Sequence, residues 1–214
     1  MKSTNELFGG KSAIAFRHEV DRRTFIRGAA LIGVGGTLAV RLKSDPTAFA
    51  QGSVNDLEIL NFALTLEYLE ADFYRQGVEA AVLEGRELEL VAPIAEHEQA
   101  HVDSITETVT ALGGTPVAMP MFTYPEGTFT DRTMFLETAA TFEELGVTAY
   151  QGQVANIESG DILAAAAAIA GMESRHAAIL ADLTGANPFV SAFESSATME
   201  EVLASAMPFI AGGQ

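Results

Sequence analysis

The chain has 214 residues, 48% of them hydrophobic, which suffices for one well-buried domain. It contains no cysteine, and this excludes disulfides, thiolate metal sites and cysteine nucleophiles. The formal net charge is −17, and residues 51–214 carry only four basic residues against 25 acidic ones, a balance that disfavours binding to nucleic acid or anionic membranes and favours cations.

Residues 1–50 have the pattern of a targeting segment. Arg22 and Arg23 precede an apolar run over residues 28–40, which is followed by small residues at positions 48 and 50. The run is too short to span a bilayer, which needs about 20 residues. The segment resembles a bacterial twin-arginine signal peptide. That resemblance implies cleavage after Ala50, export to the periplasm or beyond, and a mature domain over residues 51–214 without a membrane anchor.

Helical periodicity predicts four long helices and a short fifth after the targeting segment. Pro93 is placed in the first turn of the second helix, where proline is tolerated. The predicted helices extend from Ser53 or Asn55 to Gly77, from Val91 to Gly113, from Thr130 or Asp131 to Ser159, from Asp161 to Gly185, and from Met199 to Met207.

The connections predict how these helices are arranged. The short link at Ser159 and Gly160 makes the third and fourth helices antiparallel neighbours. Residues 115–131 form a long, proline-containing connection that reaches about 55 Å when extended, whereas a 24-residue helix is only about 36 Å long. The sequence therefore predicts an all-α four-helix bundle with one long crossover between helices two and three, plus a short C-terminal helix.

Each long helix has one apolar seam, and each seam is interrupted by a glutamate near its middle. In the second and fourth helices a histidine follows three residues later, on the same helical face. The residues concerned are Glu67, Glu98 with His101, Glu143, and Glu173 with His176.

Four converging carboxylates would be costly to bury empty and charged. Two divalent cations neutralise four negative charges, and two neutral imidazoles complete the ligand set without adding charge. One glutamate from each of two helices and a Glu-x-x-His pair from each of the others is the pattern of di-iron and di-manganese bundles. Oxygen and nitrogen ligands favour two iron or two manganese ions, with zinc as the competitor.

The segments LNFALTLEYLEADFY and FEELGVTAYQG add a family resemblance. They resemble the ferritin-like superfamily, in the branch that includes desiccation-related proteins and exported bacterial ferritin-like proteins, and the likeness covers nearly all of residues 54–185. Carried over by position, it implies the metal ligands Glu67, Glu98, His101, Glu143, Glu173 and His176. The bridging ligands remain open between Glu98 and either Glu143 or Glu173.

Several assignments stay open at this point. Glu70 competes with Glu67 in the first helix, whereas Glu144 shares a polar face and is the weaker choice against Glu143. His97 is expected at the solvent-facing side or edge of its helix. The two inner-face tyrosines either pack in the core or donate hydrogen bonds to the ligands; they are Tyr74 and Tyr150.

The chemistry expected of such a site is redox cycling with dioxygen or peroxide, as in ferroxidase, peroxidase or catalase-like turnover. Whether the protein is an enzyme stays open, and no catalytic residue is assigned. One alternative is a non-catalytic stress or desiccation-related protein with a structural metal site. Another is a self-assembling homo-oligomer that uses the crossover or the tail helix, which otherwise forms a lid over one bundle end; the tail residues are Met199, Val202, Leu203 and Ala206.

Overall fold

The computed structural model describes residues 54–211. The predicted signal peptide, its cleavage site and the domain boundary lie outside the described residues. The described part is helical and confirms the all-α prediction. It contains α1 (Val54–Glu79), α2 (Gly85–Ala111), α3 (Arg132–Gln153), α4 (Gly160–Thr184), α5 (Met199–Ala206) and a 3₁₀ turn (Met207–Phe209).

The four long helices form two hairpins, α1 with α2 and α3 with α4. Asp56, at the start of α1, accepts hydrogen bonds from the backbone N–H groups of Glu158 and Ser159 at 2.9 and 3.0 Å. This joins the first hairpin to the link inside the second. None of the helices in the described range is long and apolar enough to cross a membrane.

The segment between α2 and α3 runs along α1, as the predicted crossover requires. Near its start, the backbone N–H of Val117 donates to Asn61 at 2.7 Å, and further on the Tyr124 hydroxyl donates to Asp72 at 2.9 Å. Asn61 and Asp72 lie 11 residues apart on α1, which corresponds to about 16 Å of helix. The single-crossover topology is therefore confirmed.

Both predicted helix ends at the α1–α2 link are wrong, and the first of them is the end of α1 at Gly77. Gly77 lies inside α1 and does not end the helix. The position carries a glycine because any side chain there would collide with a neighbouring ring. A Cβ atom built on Gly77 would lie 2.2 Å from the Phe135 ring. The other error is the start of α2, which begins at Gly85 and not at Val91. Pro93 is consequently interior to the helix, on its exposed side.

The α3–α4 link also differs in detail. α3 ends at Gln153, before the predicted Ser159, because the backbone amides of the link bind Asp56 in place of a helical carbonyl. Ser159 and not Asp161 caps α4, since its side chain accepts a hydrogen bond from the Ile162 amide. Asp161 lies in the first turn, where an acid favours the helix dipole.

The short helix α5 packs against its own bundle. Thr198 and Glu201 form a capping box at its start, and Val202 and Ala206 are fully buried. Beyond it, the Phe209 ring meets Phe142 of α3 edge-on, with the centroids 4.7 Å apart. The buried face of α5 is therefore occupied by the same chain.

The buried side chains of the described residues include two hydrophobic clusters. One is aromatic and is built around Phe73, which stacks on Phe135 at a centroid distance of 4.8 Å. The other is aliphatic and includes Leu64, Ile105 and Ile169. On α2 and α4 the polar residues of the seams lie between these two clusters.

Candidate metal centre

The structure brings all six sequence-predicted residues together in the middle of the bundle. They form two groups of four, and within each group the ligand atoms lie within 4.8 Å of one another. Glu98 and Glu173 belong to both groups. The groups are Glu67, Glu98, His101 and Glu173, and Glu98, Glu143, Glu173 and His176.

His101 turns its Nδ1 atom towards the first group. This atom lies 2.9 Å from Glu98 Oε2, 3.1 Å from Glu67 Oε2 and 3.3 Å from Glu173 Oε1. His101 follows Glu98 by three residues, so α2 places both side chains on one face. The imidazole therefore offers a nitrogen at the point where three carboxylates from three helices meet.

His176 occupies the equivalent position in the second group. Its Nδ1 atom lies 3.1 Å from Glu98 Oε1 and 3.2 Å from Glu143 Oε2. Its Nε2 atom points the other way, to Nδ1 of His97 at 2.9 Å. A proton on Nε2 of His176 would satisfy His97 and leave Nδ1 free as a ligand atom.

His97 is the functional contact that the sequence interpretation missed. It is half-buried, and its ring stacks on that of His176 with the planes 9° apart. Burial, followed by the charge of His176, lowers the pKa of His97, which favours the neutral form that can accept a proton. The available sequence signal was its position next to Glu98, on the side of α2 that turns towards α4.

Two tyrosine hydroxyls hold the outer carboxylates. Tyr74 donates to Glu143 Oε1 at 2.6 Å, and Tyr150 donates to Glu67 Oε1. Both tyrosines are buried. Each hydroxyl thus fixes one carboxylate oxygen and leaves the second oxygen of the same group, Oε2, facing a histidine.

Glu70 is also buried, but it lies beside the two groups and belongs to neither. Gly146 makes room for it, because a Cβ atom there would lie 2.6 Å from Glu173 Oε2 and 3.1 Å from Glu70 Oε1. Of the two candidates in α1, Glu67 is the one that joins a ligand group. The α3 competitor, Glu144, is exposed.

Three buried carboxylate oxygens have no hydrogen-bond donor within the described residues: Glu98 Oε1 and both oxygens of Glu173. Glu98 Oε1 lies near His176 Nδ1, but the approach lacks hydrogen-bond geometry. Buried charged oxygens without donors are costly, and a cation removes that cost. The unsatisfied atoms belong to the two residues shared by both groups, so the donor set fits a pair of metal ions.

The pKa values of the two histidines and of Glu98 are strongly shifted. Burial disfavours the charged imidazoles, yet the adjoining carboxylates raise the pKa of His101 to about 10 and that of His176 to about 9. Burial likewise opposes ionisation of Glu98, but its hydrogen bond with His101 and the nearby charge of His176 lower its pKa to about 2. Two imidazolium groups therefore offset part of the negative charge when protons are the only cations present.

The pKa values of the other buried carboxyl groups are raised. Burial raises the pKa of Glu67 to about 7, and burial also raises the pKa of Glu143. Burial, reinforced by the neighbouring carboxylates, raises the pKa of Glu70 and of Glu173 well above the usual value. The protein thus concentrates more carboxylates than it can ionise together without a cation.

Known proteins share this architecture. The sequence model of the family described as the ferritin-like domain matches residues 55–186. A solved structure described as "ferritin like, diiron-carboxylate proteins from Bacillus anthracis str. Ames" is similar with a TM-score of 0.50 and 25% sequence identity, covering 62% of this chain and 99% of that one. A search of curated proteins finds no match.

Proposed function

The chain belongs to the ferritin-like family, and from this premise we propose that its bundle binds two iron or two manganese ions and handles iron or oxidants. The observation that carries the proposal is the pair of four-residue groups joined by Glu98 and Glu173. Two shared carboxylates are what a pair of neighbouring ions requires. The description of the Bacillus anthracis neighbour as diiron-carboxylate supports the same assignment.

The ligand types support the choice of metal. Four carboxylates and two imidazoles supply oxygen and nitrogen only, which suits iron and manganese, with zinc as a competitor. The carboxylates neutralise two divalent ions, and the histidines add no charge when bound through neutral Nδ1. Tyr74 and Tyr150 orient the outer carboxylates, while His97 orients the imidazole of His176.

We propose Fe(II) as the substrate of an oxidation at this site. Two Fe(II) ions supply two electrons, which together with two protons reduce dioxygen to hydrogen peroxide or, when peroxide is the oxidant, reduce it to two water molecules. The bound metal pair supplies this redox chemistry, and the protein supplies the carboxylates that hold the ions together and the apolar surroundings that restrict water.

Metal stoichiometry and turnover test the proposal. The full chain is loaded anaerobically with Fe(II), its bound iron is counted, and oxidation is followed after dioxygen or peroxide is added. Two ions per chain with rapid oxidation, lost in Glu98→Ala and retained in the exposed matched variant Glu144→Ala, is the expected result. Absence of bound metal overturns the proposal, and two bound ions without turnover shifts the function to a structural metal site.

We also propose that the protein is exported by the twin-arginine route. The support is the sequence around Arg22 and Arg23, the apolar run and the small residues before Gln51. Fractionation of cells that produce the full chain should place a product beginning at Gln51 outside the cytoplasm. Replacing Arg22 and Arg23 with lysine should keep the uncleaved chain inside, and unchanged export of that variant would refute the route.

A further inference from the structure

The bundle contains an apolar cavity of about 40 Å³ next to the metal centre, and this cavity is partly open to the surface. All four long helices contribute to its wall. The space exists because several wall positions carry only a methyl group, namely Ala63, Ala149, Ala165 and Ala166. The last two belong to the alanine run of α4, which the metal centre itself does not use.

The cavity lies one helical turn from the ligands. Ala63 precedes Glu67 by four residues, and Ile169 precedes Glu173 by the same interval. On α2, Ile105 follows His101 by four residues. Four residues span about 6 Å of helix, so three helices place the cavity wall directly beneath the ligand layer.

Tyr150 separates the cavity from the centre. Its side chain lines the cavity, and its hydroxyl donates to Glu67. The wall residues on α2 and α4 that are half-buried, and so lie nearest the surface, are Ser104, Thr108, Ala165 and Ala166. The cavity thus extends from the partly exposed α2–α4 side of the bundle to the inner tyrosine.

The side chains of the cavity wall determine which kind of molecule can bind there. Three of the four polar side chains on the wall form hydrogen bonds elsewhere: Tyr150 with Glu67, Thr108 with the Ser104 carbonyl, and Gln153 with Asn156. The fourth is the half-buried Ser104 at the α2–α4 side. An apolar cavity with few available polar partners stays dry and binds apolar guests. Its volume of about 40 Å³ exceeds what one water needs, roughly 10–15 Å³, and is well below the roughly 150 Å³ of a cavity that holds benzene.

We propose that this cavity is a dioxygen-binding site that supplies the metal centre, an inference that rests on the proposed oxidation of Fe(II). A small apolar guest suits the wall, and a diatomic molecule suits the volume. Dioxygen is the apolar reactant that the proposed chemistry consumes. Hydrogen peroxide is polar and gains nothing from this wall.

Xenon tests the cavity independently of metal and turnover. Crystals of the full chain pressurised with xenon should show a single strong peak between Ala63, Ala166 and Tyr150. The variant Ala166→Leu, which fills the space, should lose that peak. The matched control is Ala167→Leu, which lies on the same helix at an exposed position and should keep it. Absence of xenon from the unmodified protein overturns the proposal.

Kinetics then test whether the guest is dioxygen. In Ala166→Leu we expect kcat/KM for dioxygen to fall about tenfold while the bound metal and the rate with peroxide stay unchanged. Equal losses with both oxidants, or no loss with dioxygen, overturn the proposal. A protein that binds xenon but oxidises Fe(II) with neither oxidant refutes the proposed function and the dioxygen assignment together, whereas dioxygen turnover without xenon binding refutes the cavity alone.

Discussion

The Nδ1 atom of His97 lies 2.9 Å from Nε2 of His176, and the two rings stack with their planes 9° apart. This contact lies on the side of His176 opposite to the carboxylates. An acceptor at Nε2 keeps the proton there and directs the Nδ1 lone pair into the centre. His97 is therefore a positioning residue for one half of the site only, because within the described residues no histidine nitrogen forms a hydrogen bond with His101.

Replacing His97 with alanine should weaken one metal position selectively. We expect affinity at the His176 position to fall about 10- to 100-fold while the His101 position is retained. A calorimetric titration of the metal-free protein with Mn(II) measures the two affinities separately. His97→Gln, whose side-chain oxygen can accept the same hydrogen bond, should restore part of the loss. Equal weakening of both positions would contradict the positioning role.

Placing a methyl group at position 146 should disturb the shared carboxylate. A Cβ atom on Gly146 would lie 2.6 Å from Glu173 Oε2, so Gly146→Ala forces Glu173 to move. Because Glu173 belongs to both ligand groups, both metal affinities should fall by about tenfold, or about 1.4 kcal/mol. Metal titration measures this effect.

Gly171→Ala is the matched control for this change. Gly171 lies within α4, and nothing is found within 4 Å of a Cβ atom built there. Alanine in place of an interior helical glycine should stabilise the protein by about 0.5–1 kcal/mol and leave metal binding intact. Similar metal binding in the two variants would show that the space beside Gly146 does not matter for the centre.

The sequence could predict the six converging residues because helix periodicity determines which side chains share a face. Glu98 and His101 are three residues apart, and that interval places both on the inner side of α2 however the bundle closes. The single crossover could also be predicted, because the connection between the second and third helices is long enough to run the length of the bundle. These features follow from local geometry alone.

The remaining features depend on how the helices pack against one another. His97 lies at the edge of the α2 seam, and an edge residue faces water or a neighbouring helix according to that packing. Gly77 has the composition of a helix end, yet it serves the close approach of Phe135. A glycine that ends a helix and one that admits a neighbour look alike in the sequence, so such positions require coordinates.

Substitution of Glu67 and substitution of Glu70 should have different effects on metal binding. Glu67 joins a ligand group, so Glu67→Gln should lose the metal at the His101 position. Glu70 belongs to neither group, and burial raises its pKa well above the usual value. Glu70→Gln should therefore keep two metals per chain and stabilise the metal-free protein, because an amide removes the cost of protonating, on folding, an acid that is ionised in the unfolded chain. Metal counting and urea unfolding measure the two effects, and loss of a metal in Glu70→Gln would reverse the assignment.

The metal-free protein should lose stability as the pH rises from about 6.5 to about 10. In the unfolded chain the histidines titrate near 6.5, whereas the pKa is about 9 for His176 and about 10 for His101 in the folded bundle. Over this interval the folded state binds more protons than the unfolded state. The stabilisation is therefore complete below the unfolded pKa and is lost as the pH rises through the folded values.

Urea unfolding of the metal-free and metal-loaded chains across this interval tests the expectation. The midpoint of the metal-free protein should fall steadily with pH. Metal should reduce or reverse the trend, because an ion needs the neutral imidazoles and competes with the same protons. Metal loading should therefore stabilise the bundle most at alkaline pH, where the histidines of the empty centre no longer carry charge to offset the carboxylates. A metal-free midpoint that stays constant or rises would mean that His101 and His176 are already neutral when the bundle folds.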